Sequence, residues 1–303
     1  MRITQKAMVN SSLTGLNNNL TALVKVQNQL ATGRVLNRPS DSPIDTNKSM
    51  QVRSDLGRVA QQDRNITDAQ SRLDQTDSAL QGLQDLLKRV QALTVQGLNT
   101  GGNDATSSAA LATELTALRA DMLGVANTSI NGRPIFGGVT SGAVAYQPDG
   151  SYAGLGQGEG STQDHPVLRR ISDNEVLRVD VTGPEVFGPD GANLFAVVQG
   201  IADKLNTSPV DVAALSADLA ALDAAQDRIS TAQATVGARS SRVQKAAELN
   251  ITRELALNAQ RKDIEDVDIP KASMELSAQQ LGYQASLAVT AKILQPTLME
   301  FLR

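Results

Sequence analysis

The chain has no cysteine and no tryptophan, a single histidine, and 2% aromatic residues. Without cysteine there is no disulfide and no thiolate metal site. With His165 as the only histidine, one chain builds neither a His-based triad nor a two-histidine metal site. Scarce aromatics point away from a large enzyme core and toward packing by Leu, Val, Ile and Ala. No stretch nears the ~20 apolar residues of a membrane span. The start, MRITQKAMVNSSLTG, has no apolar h-region and no A-x-A cleavage pattern. The net charge is −4 and basic residues are scattered. These features predict no nucleic-acid partner and no membrane insertion.

What is present is periodic. Val52, Val59, Ile66, Leu73, Leu80 and Leu87 stand seven apart without a miss, a run that chance gives on the order of once in several thousand registers. A second ladder with the same step runs Leu215, Leu222, Ile229, Val236, Val243, Asn250 and Leu257. Two ladders, one in each half, predict a chain that leaves along one long helix and returns along another. Their apolar members are the expected core of a rod, and the polar seam positions Asp55, Gln62 and Asn250 read as register choices.

Residues 3–32 predict an amphipathic helix with Leu13, Leu16, Leu20, Leu23, Gln27 and Leu30 on one stripe, ended by Gly33. A turn-rich joint follows, with Ser42 as N-cap, Pro43 at N1 and Asp45 at N3 of a helix over about 44–98. After the TGGND break at 100–104, a third helix is expected over about 106–128, with Leu111, Leu115, Leu118, Met122 and Val125 on one stripe. Beyond residue 129 Gly, Ser and turn dipeptides dominate. Short strands are expected near 143–146, 167–171 and 175–181, where Leu177, Val179 and Val181 alternate with Arg178 and Asp180 as in a half-buried strand. Helix resumes at 193–205, then 210–262, then from near Asp268, where Leu276, Tyr283, Leu287, Ala291, Leu294, Leu298 and Phe301 mark one face and Pro296 predicts a kink. The fold class is therefore mainly α. A long antiparallel coiled-coil or helical bundle is formed by the two halves, with a small β-rich insertion. The expected organisation is terminal helices at 1–44 and 263–303, a helical rod at 45–130 and 193–262, and the insertion at 131–192.

Candidate chemistry is thin. The alternating Gly154, Gly156, Gly158 and Gly160 precede an extended segment rather than a helix, so a flexible loop fits better than a phosphate cradle. Asp263, Glu265, Asp266 and Asp268 lack the spacing of a calcium loop and read as a solvated helix junction, with Asp268 capping the last helix. Asp41 reads as a turn residue. No catalytic residue, metal site or cofactor emerges. The terminal helices are more informative, because two polar helices with spaced leucines bury little by themselves. Leu13, Leu16, Leu20, Leu23, Leu30, Leu287, Leu294 and Leu298 are the expected assembly interface.

Five segments carry a resemblance: MRITQKAM, QLATGRVLNRPSDSP at 29–43, ANTSINGRPIFGG at 126–138, TVGARSSRV at 235–243 and DIEDVDIPKASMEL at 263–276. Together they resemble the flagellin-related hook-associated proteins, and within them the hook–filament junction type, over about two-thirds of the chain. The resemblance implies an extracellular structural subunit of the bacterial flagellum, exported unfolded by the flagellar type III apparatus without a cleaved signal. Its implied partners are further copies in a ring, hook-associated protein type 1, flagellin and an export chaperone. The alternatives are a minor flagellin or another secreted coiled-coil adhesive protein. An enzyme in a flagellin-like frame is disfavoured by the single histidine and the missing H-E-x-x-H helix.

Overall fold

The computed structural model describes residues 2–99, 105–156, 165–207 and 209–294. Among them the elements run α1 (Arg2–Thr32), α2 (Pro43–Leu98), α3 (Ala105–Ala126), β1 (Ser129–Ile130), β2 (Arg133–Pro134), β3 (Leu168–Arg170), β4 (Val176–Arg178), α4 (Gly183–Phe187), α5 (Leu194–Leu205), α6 (Val212–Glu265) and α7 (Ile269–Leu294). The protein is mainly helical, with a small β-containing insert between its N- and C-terminal helical parts. The TGGND break, Gly158, Gly160, Pro296, Leu298 and Phe301 lie outside the described residues.

Two compact units divide the chain, residues 1–59 with 252–303 and residues 60–251. The division falls inside α2 and α6. In the 60–251 unit α2 and α6 run antiparallel, since Gln70 donates to Ser240, Gln84 to Gln233 and Gln91 to Asp223. The ladder residues Ile66, Leu73, Leu80 and Leu87 ascend as Val243, Val236, Ile229, Leu222 and Leu215 descend, all buried in one apolar cluster. Buried hydroxyls on this seam are satisfied locally. Thr76 and Thr94 each donate to the carbonyl four residues back.

The insertion is not a body apart, because its core is continuous with that of α2, α3, α5 and α6. Five of the chain's seven aromatic residues meet here: Phe136, Tyr146, Tyr152, Phe187 and Phe195, with ring centroids 4.9 to 5.4 Å apart. Asn193 caps α5 by accepting from the Ala196 N–H, and its amide donates to Gly150 O. The insertion has two antiparallel two-stranded ladders, β1 with β2 and β3 with β4. The segment 143–146, expected as a strand, makes only an isolated bridge from Tyr146 to Tyr152.

One expected alternation is corrected. Leu177, Val179 and Val181 are buried, but so are Arg178 and Asp180 on the face expected to be wet. Asp180 Oδ1 accepts from Arg178 Nε (3.1 Å) and the Val167 N–H (2.9 Å), while Arg239 of α6 donates to Asp180 O at 2.6 Å. Charge pairing lets both faces of the strand be covered. On the α2 side Arg72 donates to Ile135 O and Arg169 to Asp68.

Candidate assembly interface

In the unit of residues 1–59 and 252–303, α1 and α7 pack antiparallel. Asn19 donates to Ser286 Oγ at 2.7 Å, and near the other end Val267 N donates to Gly33 O at 3.0 Å. Burial identifies the packed seam. On α1 it falls on Ser12, Leu16, Asn19, Leu23, Val26 and Leu30, in alternating steps of four and three, and also on Val9, Ala22 and Gln29. On α7 it falls on Ala272, Leu276, Gln279, Tyr283, Ser286 and Thr290, with the same steps, and also on Gly282. About half of the residues named carry small or polar side chains.

The expected interface leucines divide accordingly. Leu16, Leu23 and Leu30 are half-buried in the seam, whereas Leu13, Leu20 and Leu287 are exposed outside it. Leu294 closes the described part of α7, and Leu298 lies beyond it. The single stripe expected on α1 is thus two adjacent stripes, because leucines at both seam and flank positions satisfy a loose three-and-four spacing. Of the ladder residues, Val52 and Val59 are buried here and Leu257 is only half-buried. Val26, Val52, Val59 and Ala272 are the only buried apolar residues among the described residues of this unit. Against them stand exposed Met8, Leu13, Leu20, Val24, Val35, Ile44, Met50, Leu255, Ile269, Met274, Leu281, Leu287 and Val289.

Polar contacts hold the joint in place of a core. The turn residue Asp41 accepts from the N–H groups of Asn37 and Arg38. Ser42 caps α2 by accepting from the Asp45 N–H, and its hydroxyl donates to the Asp45 carboxylate, which that bond and Lys48 hold below the usual carboxylate range. Gly33, at φ +70, ends α1 and turns the chain into a short antiparallel bridge. There the Val35 N–H donates to Glu265 O at 2.7 Å.

The acidic junction needs a correction. Asp268 caps α7 by accepting from the Lys271 N–H, as expected. Glu265 is not solvated but 3% exposed, and it accepts from Arg53 Nε at 2.7 Å, Arg53 Nη2 at 2.8 Å and Ser49 Oγ at 2.5 Å. The Arg53 hydrogen bonds dominate and, with Ser49, outweigh the opposing effect of burial, holding its carboxyl down at about 2. In the chain the four acids look alike. Only the crossing of α2 and α6 singles out Glu265.

His165 is exposed, and no group of His, Cys, Asp and Glu suited to a metal ion occurs among the described residues. Nor is any described helix long and apolar enough to cross a membrane. The arrangement offers surfaces for packing.

Known proteins share this frame. Residues 3–141 match the bacterial flagellin N-terminal helical region, and residues 219–302 the bacterial flagellin C-terminal helical region. The chain is 26% identical to flagellar hook-associated protein 3 of Salmonella typhimurium over 310 aligned positions, covering 94% of this chain and 95% of that one. It is 27% identical to flagellin of Bacillus subtilis, with 96% of each chain covered. The crystal structure of Bacillus cereus FlgL superposes with a TM-score of 0.58 at 24% identity, over 70% of this chain and 99% of that one, and so shares the fold. Matched at both ends and nearly end to end, the chain belongs to the flagellin-related family that includes the flagellar hook-associated protein 3 chains.

Proposed function

We propose that the chain is a non-enzymatic structural subunit of the bacterial flagellum, and that it works as hook-associated protein type 3 at the hook–filament junction. One observation carries the assembly part of this reading. Among its described residues, the unit built from both chain ends has only four buried apolar residues and thirteen large exposed ones. Such a surface is stable when covered. In this reading Leu13, Leu20 and Leu287 serve assembly. The apolar ladder residues from Ile66 to Leu87 and from Leu215 to Val243 form the self-contained shaft.

The partners in this reading are further copies in a ring, hook-associated protein type 1 on the hook side, flagellin on the filament side, and a chaperone before export. The location is extracellular, reached without a cleaved signal. Deleting the gene tests this. Complete hooks without filaments, with flagellin released into the medium, are expected. Normal filaments with lost attachment would favour an adhesive subunit instead.

The match to Bacillus subtilis flagellin favours one second reading, a minor filament subunit. Copy number separates the two. A junction ring needs tens of copies or fewer per appendage, whereas thousands per sheared filament would mean a flagellin.

A further inference from the structure

Among the described residues, Asn131 is the only one other than glycine with a backbone in the left-handed region. Ile130 pairs with Arg133, so Asn131 and Gly132 alone make the bend between β1 and β2, at φ +51 and φ +76. Positive φ at both central positions is the geometry of a type I′ hairpin turn, and Asn-Gly is a favoured pair for it. Both residues are exposed. Neither the Asn131 side chain nor the Gly132 N–H has a hydrogen-bond partner among the described residues.

Asparagine before glycine carries a reaction of its own. The following backbone nitrogen attacks the side-chain carbonyl carbon, ammonia leaves, and a cyclic succinimide closes. Glycine makes this easiest, because it has no Cβ to crowd the nitrogen. Water then opens the ring at either carbonyl and gives aspartate or isoaspartate. Asn131 is the only asparagine of the chain followed by glycine, but Asp149-Gly150 and Asp190-Gly191 could close the same ring. Those two are guarded. Asp149 accepts from the Ser151 hydroxyl and N–H, which hold its carboxyl below the usual range and keep it ionised, a poor target for a nucleophile. The Gly150 N–H is occupied by Gln147 O at 2.9 Å. Asp190 accepts from the Tyr152 N–H at 3.0 Å.

We propose that Asn131 is a self-modifying site of the folded chain, where the Gly132 nitrogen displaces ammonia and water completes the conversion to aspartate and isoaspartate. The place of the hairpin gives the conversion a consequence. Isoaspartate runs the backbone through its side-chain carbon, which lengthens a two-residue bend that has no slack. β1 and β2 hold only the pairs Ser129–Pro134 and Ile130–Arg133. Directly beyond lie Ile135 and Phe136, both fully buried. The Ile135 N–H donates to Thr128 O and its carbonyl accepts from Arg72, while Phe136 O accepts from the Gly183 N–H and the Tyr152 hydroxyl. The turn therefore sets one edge of the aromatic cluster, and its conversion both marks and loosens an aged copy. The reaction needs no partner, so it is independent of the assembly reading.

Purified full-length chain is held folded in mildly alkaline buffer at growth temperature and sampled over days. Isoaspartate is read by methyl transfer with a protein isoaspartyl methyltransferase, and its position by peptide mapping with mass spectrometry. Isoaspartate is expected to accumulate at Asn131 ahead of every other position, with release of ammonia. Asn131→Gly keeps a pair suited to the turn and should lose the signal entirely. Gly132→Ala, whose Cβ would meet nothing within 4 Å, should fold with a strained turn and convert several-fold more slowly. Aged native chain should melt lower and exchange its Ile135 amide faster than fresh chain, whereas aged and fresh Asn131→Gly should match. Isoaspartate at Asp149 or Asp190 instead, none at Asn131 in the folded chain, or an undiminished rate in Gly132→Ala would overturn the site. A converted chain with unchanged melting and Ile135 exchange would overturn the loosening.

Discussion

Arg53 of α2 grips Glu265 at the end of α6 through two hydrogen bonds, 2.7 and 2.8 Å long, in a unit with scarcely any apolar core. The same glutamate offers its backbone carbonyl to Val35, so one residue ties the end of α6 to both the joint and α2. Replacing it with Gln removes the charge while keeping the shape. We expect Glu265→Gln to loosen the joint by about 1–2 kcal/mol at neutral pH, the half-exposed Arg53 tempering the larger value that the carboxyl shift alone implies. Faster hydrogen exchange at the Val35 and Val267 amides is the readout.

The pH dependence follows from the same pair. Folding lowers the Glu265 carboxyl from 4.5 to about 2. The folded state therefore favours the ionised form. The stabilisation is fully present above the unfolded value of 4.5 and is lost as pH falls toward 2. Protection of these amides should decline across that window in the native chain, and the decline should be weaker in Glu265→Gln.

In the 60–251 unit, Leu73→Asp places an unpaired charge at a ladder position that is almost fully buried. A loss of several kcal/mol is expected, enough to unfold this unit. Thermal melting followed by circular dichroism reads it directly.

Two glycines should respond in opposite directions. A Cβ at Gly138 would stand 2.0 Å from Leu155 O, and the residue lies at φ +64. Gly138→Ala should therefore cost more than about 2 kcal/mol, through clash and backbone strain together. Gly82 is exposed within α2, where a Cβ meets nothing within 4 Å. Gly82→Ala should stabilise by about 0.5–1 kcal/mol. Denaturant midpoints of the two variants make the comparison.

Asp180 is fully buried and accepts from Arg178 and the Val167 N–H. Asp180→Ala leaves the buried Arg178 guanidinium with Glu185 as its remaining carboxylate and removes the acceptor of the Val167 N–H. The expected cost is about 2–3 kcal/mol, because a buried acceptor is lost while Glu185 still faces the guanidinium. The fall in melting temperature should exceed that of Arg242→Ala, whose bond to Glu175 is largely exposed.

What the chain reveals by eye follows from how local the signal is. The ladders at 66–87 and 215–243 are legible because one step of seven repeats without interruption, and the caps at Ser42 and Asp268 sit beside the amides they serve. Glu265 is not legible, since its partners Ser49 and Arg53 lie more than 200 residues away in sequence. Arg178 and Asp180 mimic an exposed strand face, and only the approach of Arg239 reverses that reading. Gathering five aromatic residues into one cluster needs contacts from two helices, α4 and α5, and from the non-helical segments that carry Phe136, Tyr146 and Tyr152. On α1 the leucines are visible, but which of them face α7 depends on that helix's small and polar seam.

Immunogold labelling of intact flagella with antibody to this chain tests the central claim most directly. A single band of label at the joint between hook and filament is the result predicted. Label spread along the filament, or confined to its tip or the cell surface, would contradict it.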